Sequence, residues 1–477
     1  MKTRQVDIAI IGAGTAGLNA SREAVRAGAS WVMIDPGPYG TTCARVGCMP
    51  SKLLIAAAER AQMIAAAGPF GIEVNDWHVD GPAVLKRVRA ERDRFSGFVK
   101  DTIESFSDEN LLRGRARFVS PSSLVVDDDI RVTARATVIA TGSSPWTPPQ
   151  LESVADDIMI SDDIFEMEDL PESMAIFGTG VIGLELGQAL SQLGVAVEFF
   201  NPFEALGRFS DPKLIAETEK VLGAQLTLHL RSEVHSVQKI DDAFHIQWTD
   251  LNGNAHERSF ERVLNATGRR PNIKGLDLEK AAIPLDAHGQ PISNPRTLQC
   301  GDAPIFVAGD ASGHRPLLHE ASDEGRIAGS NALRFPDVQA FIRKTSLEIA
   351  FTFPQMAIVG KRWSELDHDA VAVGEVSLVN QGRARVMGLN QGLLRLYATK
   401  VDCQLVGAEL FGPRAEHMAH LLAWAVQQNL RVPDLLTMPV YHPVLEEGLR
   451  TGLRDLSKNL RIAGLCQPQD RGEGPGV

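Results

Sequence analysis

The chain has 477 residues, 44% hydrophobic and 23% charged, and a formal net charge of -12 without any lysine or arginine block. The length sets an expectation of about three domains, and the charge argues against nucleic acid or an anionic membrane as partner. Three tyrosines and six tryptophans are too few for base-stacking platforms, and no apolar run approaches the roughly 18 residues of a membrane-spanning helix.

Val6 to Ile11 is a continuous apolar run that reads as a buried parallel strand. It starts so near the N-terminus that no leader peptide is expected, and a reducing cytoplasm is the default compartment. Gly12-Ala13-Gly14-Thr15-Ala16-Gly17 follows, then a helix to about Ala27 and a second strand, Trp31 to Asp35. Glycines at Gly12, Gly14 and Gly17 permit a tight turn and let the backbone approach a pyrophosphate at a helix N-terminus. Asp35 falls where an acid would accept hydrogen bonds from a ribose.

Next comes Gly40-Thr41-Thr42-Cys43-Ala44-Arg45-Val46-Gly47-Cys48-Met49-Pro50-Ser51-Lys52, with two cysteines five positions apart. A disulfide needs Cα atoms within about 7 Å, which a loop entering a helix can supply. The helix start lowers a thiol pKa, so Cys48, nearer that start, is expected beside a bound redox cofactor. Cys43 is then the thiol that meets substrate. A metal pair would need further cysteines or histidines at ligand spacing, and none occurs. Five cysteines at uneven spacing do not make a secreted disulfide scaffold, and Cys300, Cys403 and Cys466 read as solitary small apolar residues.

An alanine-rich helix is expected from Ser51 to Met63, and Val84, Val88, Phe95, Phe98, Thr102 and Phe106 recur at near-helical spacing for a second. Thr137 to Gly142 is a strand end that includes Thr141 and Gly142, and Pro145, Pro148 and Pro149 mark a linker. A second nucleotide unit begins at Met174, turns through Gly178-Thr179-Gly180-Val181-Ile182-Gly183, and reaches its second strand at Val195 to Phe200. The Ala-Thr-Gly strand end recurs at Ala266 to Gly268, and Ile305 to Asp310 is another strand ending in an acid. Two complete units of this kind imply that one binds FAD and the other a nicotinamide nucleotide.

Asn201 takes the position of the second unit's ribose acid. Asparagine removes the repulsion an acid would exert on a 2′-phosphate, and Arg208 lies close enough in sequence to pair with one or to be a plain surface residue. The reading leans to NAD and leaves NADP open.

After about Thr345 the pattern changes to antiparallel-like strands and two helices. His442-Pro443-Val444-Leu445-Glu446-Glu447 places a proline suited to the first position of a helix, with Glu447 within reach of the imidazole. A carboxylate so placed orients the ring, and the histidine then suits proton transfer from a substrate thiol. His417 and His420 lack further ligands and read as surface or interface residues.

These motifs, in this order from about Val6 to Leu460, make the chain resemble the class I pyridine nucleotide-disulfide oxidoreductases, and most of all their dihydrolipoyl dehydrogenase branch. The family stretch GGTCxNxGCxPSK reads here GTTCARVGCMPSK, with Thr41 for a glycine and Arg45 for the asparagine. The resemblance implies an α/β fold: two nested Rossmann-like domains for FAD and NAD(P), and a C-terminal α+β dimerisation domain. The expected division is 1–147 and 273–344 for FAD, 148–272 for NAD(P), 345–465 for dimerisation, and a flexible tail at 466–477.

The resemblance further implies that Lys52 lies near the flavin and pairs with Glu185, and that Asp310 binds the ribityl chain. His319, in Leu318-His319-Glu320-Ala321, would lie under the flavin's pyrimidine edge. His442 and Glu447 would act across a homodimer interface on the partner's Cys43 and Cys48. Gln355 stands where the family usually has an acid. The implied activity is oxidation of a small-molecule or protein-borne dihydrolipoyl dithiol by NAD+ through a Cys43–Cys48 disulfide. The alternative is NAD(P)H-dependent reduction of another small disulfide, such as glutathione disulfide, or of mercuric ion. Relatives that reduce mercuric ion lack the histidine and carry a C-terminal cysteine pair, where this chain has only Cys466.

Overall fold

The computed structural model describes residues 1–462; the expected tail at 466–477, with Cys466, lies outside the described residues. The first nucleotide unit runs β1 (Lys2–Ile11), α1 (Thr15–Ala27), β2 (Trp31–Ile34), two helices that carry the cysteines, α2 (Thr42–Val46) and α3 (Cys48–Ala65), and the long α4 (Gly81–Glu104). Asp80 caps α4, its carboxylate accepting from the Ala83 amide, and Pro82 sits in the first turn where no donor is lost. Four strands follow: β3 (Leu111–Leu112), β4 (Ala116–Ser120), β5 (Ser123–Val126) and β6 (Ile130–Ile139).

The central β1 is parallel to β2 on one side and to β6 on the other. Its last four residues, Ile8 to Ile11, are all buried, because α1 and α7 (Leu318–Arg334) pack on one face and side chains of β4 and β5 on the other. The sheet gains its seventh strand much later: β17 pairs parallel with β6.

Between those two parts lies the second unit. It comprises β7 (Ser143–Pro145), β8 (Met159–Ile160), β9 (Ser173–Phe177), α5 (Val181–Gln192), β10 (Ala196–Asn201), α6 (Pro212–Gly223), β11 (Thr227–Leu230), β12 (Glu233–Ile240), β13 (Ala243–Thr249), β14 (Ala255–Phe260), β15 (Arg262–Asn265) and β16 (Arg269–Pro271). Its parallel sheet has the order β11-β10-β9-β15-β8, and β12-β13-β14 form a separate antiparallel sheet. The chain leaves and re-enters the first unit through β7 and β16, which pair antiparallel as a two-stranded connector. Then come β17 (Ile305–Val307) and α7 (Leu318–Arg334).

The last part is an antiparallel sheet ordered β18-β19-β22-β21-β20. Its strands are β18 (Leu347–Ala350), β19 (Gln355–Gly360), β20 (Val371–Ser377), β21 (Leu393–Thr399) and β22 (Leu405–Gly412), with helices α8 (Gly382–Val386), α9 (Ala415–Gln427), α10 (Val432–Leu436) and α11 (Glu447–Ile462). Leu449, Leu453, Leu456 and Leu460 of α11, three or four residues apart, lie on the sheet with Leu394 and Leu396. No described helix is long and apolar enough to cross a membrane.

The expectation that Pro443 opens the last helix is corrected. The carboxylate of Glu447 accepts a hydrogen bond from the Val444 amide at 3.2 Å. That bond spans Val444 to Glu447, and α11 starts at Glu447 itself.

Candidate active site

The two glycine turns have the same geometry. The Gly12 amide donates to the Ile34 carbonyl and the Gly178 amide to the Phe200 carbonyl, each at 2.9 Å. A Cβ on Gly17 would lie 1.9 Å from the Gly12 carbonyl oxygen, and one on Gly183 would lie 2.2 Å from that of Gly178, so neither position admits a side chain. Gly14 and Gly180, the N-caps of α1 and α5, face open space, and no side chain caps either helix. Both helix starts therefore keep free amide donors for a phosphate group. In the first unit Thr141 Oγ1 is buried without a partner, and the adjoining Gly142 has φ 70°. In the second, Gly268 takes the equivalent strand end with φ 137°. These open donors fit a dinucleotide in each unit.

The matching registers make Asp35 and Asn201 equivalent, each following the strand residue that anchors its glycine turn. They behave differently. Asp35 accepts from the Ala13 amide at 2.7 Å and the Gly37 amide at 2.6 Å, bracing the glycine turn. Asn201 is buried and turned inward; its Nδ2 donates to Thr179 Oγ1 and, at 3.1 Å, to the Ala205 carbonyl. Arg208 is held by Glu348 at 3.1 Å, and Glu348 is also paired with Arg362. Its guanidinium already has a carboxylate partner from β18.

Cys43 lies in α2 and Cys48 is the first residue of α3, with both thiols free. They share a proton unequally. The hydrogen bond from Cys43, aided by the nearby Lys52 charge, lowers the Cys48 pKa to about 7 against the opposing effect of burial. The same bond and burial push the Cys43 thiol upward. Cys48 is thus the thiol of the pair that ionises first.

Lys52, one turn along α3, places Nζ 2.6 Å from Glu185 Oε2 on α5. The structure adds a residue that the sequence did not signal. Phe351, just past β18, donates its amide to Glu185 Oε1 at 2.7 Å, and its ring lies 4.8 Å from Lys52 Nζ. Three parts of the chain thus meet at one ion pair.

Asp310 Oδ2 accepts from Ser143 Oγ at 2.6 Å, and Ser143 Oγ accepts in turn from Arg269 Nε at 3.0 Å. The connector strands therefore touch the carboxylate expected at the flavin's side chain. His319 is exposed in the first turn of α7.

His442 Nδ1 lies 3.0 and 3.2 Å from the two Glu447 carboxylate oxygens, and the imidazole is 81% exposed. That bond holds the Glu447 carboxyl below its usual range. Among the described residues, the hydrogen bonds of His442 go to Glu447, not to Cys43 or Cys48. Burial pushes Cys300 up to about 12, consistent with an inert thiol. Cys403 is buried and disulfide-bonded, which corrects its reading as a solitary apolar residue.

The model of the pyridine nucleotide-disulphide oxidoreductase family matches residues 6–325, and that of its dimerisation domain matches residues 347–452. The chain belongs to this family, in its class I branch, and is an enzyme that uses FAD and a pyridine nucleotide. It is 28% identical to the dihydrolipoyl dehydrogenase of Chlamydia muridarum over 92% of this chain and 94% of that one. It is equally 28% identical to the mercuric reductase of Staphylococcus aureus, over 96% and 84%. Its fold matches the HOCl-induced flavoprotein disulfide reductase RclA of Escherichia coli, solved as a Cu(II) complex, with a TM-score of 0.80 at 19% identity over 94% of this chain and 99% of that one.

Proposed function

We propose that this flavoprotein disulfide oxidoreductase oxidises dihydrolipoyl groups with NAD+ through a Cys43–Cys48 disulfide, as a homodimer in the cytoplasm. The observation that carries the reading is the His442–Glu447 pair in a chain that also holds an intact dithiol motif. A dithiol substrate must give up protons as it is oxidised, whereas a mercuric ion brings none. Exposed Trp424 and Tyr441, within the dimerisation domain, are apolar surface suited to a second copy.

The exchange starts from the Cys43–Cys48 disulfide. His442 of the partner subunit accepts a proton at Nε2 from one substrate thiol while Glu447 holds Nδ1. The substrate thiolate attacks Cys43 Sγ, and Cys48 departs as a thiolate; its low pKa makes it a good leaving group. The second substrate thiolate attacks the mixed disulfide, closes the substrate's own disulfide and frees Cys43. Two electrons then reside on the protein dithiol, with a proton shared by Cys43 and Cys48. A bound FAD would supply the two-electron relay between this dithiol and a nicotinamide nucleotide. Gly14 and Thr141 suit the FAD side, Gly180 the nicotinamide nucleotide, and Lys52 with Glu185 braces α3 against α5.

Steady-state assays with dihydrolipoamide, glutathione disulfide and mercuric ion, each with NAD(H) and NADP(H), test the reading. Dihydrolipoamide with NAD+ is expected to give the highest kcat/KM. Negligible turnover of dihydrolipoamide removes the proposal, and NADPH-driven mercuric reduction would replace it.

A further inference from the structure

The segment that leaves β10 is tied to the second glycine turn. Asn201 Nδ2 donates to Thr179 Oγ1 and, at 3.1 Å, to the Ala205 carbonyl. Thr179 Oγ1 donates to that same carbonyl at 2.6 Å, and the Gly207 amide donates to the Thr179 carbonyl at 2.8 Å. Asn201 Oδ1 accepts from the Phe203 amide at 3.3 Å, and the Phe203 carbonyl accepts from the Arg231 amide at 3.4 Å. Leu206, fully buried, anchors the far side of the loop. Asparagine is the residue this arrangement needs. Thr179 gives its one hydroxyl proton to Ala205, so its oxygen needs a donor, which an aspartate would not provide.

What the loop presents is Phe203, which is 69% exposed. It lies just beyond the carboxyl end of β10 and beside the glycine turn. Ligands of such sheets bind in the crevice outside the carboxyl ends of the strands. Side chains that could read the 2′ position are engaged elsewhere: Asn201 is turned inward, and Arg208 is held by Glu348. An aromatic ring in that place suits a purine, because stacking asks only for a π-face.

We infer that Phe203 stacks on the adenine of the pyridine nucleotide, and that Asn201 is the positioning residue that presents it. The inference rests on the reading that the second unit takes that nucleotide. It makes recognition of the adenosine half depend on the base, so NAD+ and NADP+ gain from it alike.

The test titrates the oxidised, FAD-loaded protein by calorimetry with NAD+, ADP-ribose and nicotinamide mononucleotide. ADP-ribose carries the adenine without the nicotinamide, and the mononucleotide carries the nicotinamide without the adenine. Phe203→Ala is expected to weaken NAD+ and ADP-ribose about tenfold, the scale of one base stacked on an aromatic ring, and to leave the mononucleotide within about twofold. Phe203→Trp, which keeps an aromatic face, is expected to hold ADP-ribose within about twofold of the parent. Asn201→Ala is expected to weaken ADP-ribose about fivefold alone and to add nothing to Phe203→Ala, because residues that act through one contact are not additive.

An unshifted ADP-ribose affinity in Phe203→Ala overturns the inference. So does an equal loss for the mononucleotide, which would place the ring away from the adenine, and so does a Phe203→Trp protein that binds no better than Phe203→Ala. Additive losses in the double variant overturn the part given to Asn201. A parent protein that binds neither NAD+ nor ADP-ribose removes the assignment of the second unit itself, and the inference with it.

Discussion

His442 Nδ1 and Glu447 Oε1 lie 3.0 Å apart, joined across a turn that the Val444 amide closes onto the same carboxylate. The carboxylate thus fixes both the ring and the backbone that carries it. Glu447→Gln is expected to keep the turn but lose the ionic partner of the ring. His442→Ala is expected to slow oxidation of dihydrolipoamide at least 100-fold, while reduction of an artificial electron acceptor by NADH changes little. Parallel kcat/KM measurements with the two substrates check this, and equal losses in both would place the histidine elsewhere in the cycle.

The unequal thiols make a pH prediction. Cys48 is lowered from 9.0 to about 7, so its thiolate, and alkylation by iodoacetamide, should rise as pH passes through about 7. The reduced protein gains stability from this group as pH rises from about 7 toward 9, and loses it as pH falls through about 7. Cys43→Ala removes the hydrogen bond that does most to lower the Cys48 pKa and is expected to move the alkylation midpoint of Cys48 upward. A midpoint that stays near 7 would make Lys52 the dominant influence.

Glu185 is buried, and its two oxygens serve Lys52 and the Phe351 amide. Glu185→Ala strands both donors and is expected to cost about 2–4 kcal/mol, at the lower end because Lys52 keeps some solvent. Thermal melting of the reduced and oxidised protein measures it. A neutral result would mean that Lys52 swings freely into water.

Glu409 is fully buried and accepts from Ser210 N, Ser210 Oγ, Asp211 N and Trp363 N at 2.7–3.1 Å. Asp211, which it holds, in turn accepts from Arg395 and Tyr397. This cluster binds the start of α6 to the last sheet. Glu409→Ala is expected to destabilise by about 3 kcal/mol or more, since several buried donors lose their acceptor together. Limited proteolysis should then cut in the segment just before α6, around Ser210 and Asp211, before other sites.

Asn201 occupies the position equivalent to Asp35 without presenting a charge. Asn201→Asp is expected to weaken any NADP(H) binding about tenfold relative to NAD(H), as an acid there repels a 2′-phosphate. Titration of the nucleotides against the loaded protein reads the ratio.

The chemistry carried by contiguous residues was legible in the sequence: both glycine turns, the dithiol stretch, and the histidine with a carboxylate five residues on. Each is a local string whose spacing already sets the geometry. What escaped was made by contacts between distant segments. Phe351 reaches Glu185 across 166 positions, and Glu409 reaches Ser210 across 199. Arg208 is adjacent to the nucleotide fold in sequence, yet Glu348 claims it. Pro443 misled for a related reason: the Glu447–Val444 bond delays the helix by four residues.

The placement of β17 has a consequence for synthesis of the chain. Ile305–Val307 completes the first sheet beside Thr137–Ile139, with the entire second unit lying between them. On a ribosome the inserted unit, with all its strands in hand by Pro271, can close while the earlier one still exposes the flank of β6. The last strand of the first sheet is thus synthesised after the whole of the second unit, and the flank of β6 has no partner strand until β17 emerges.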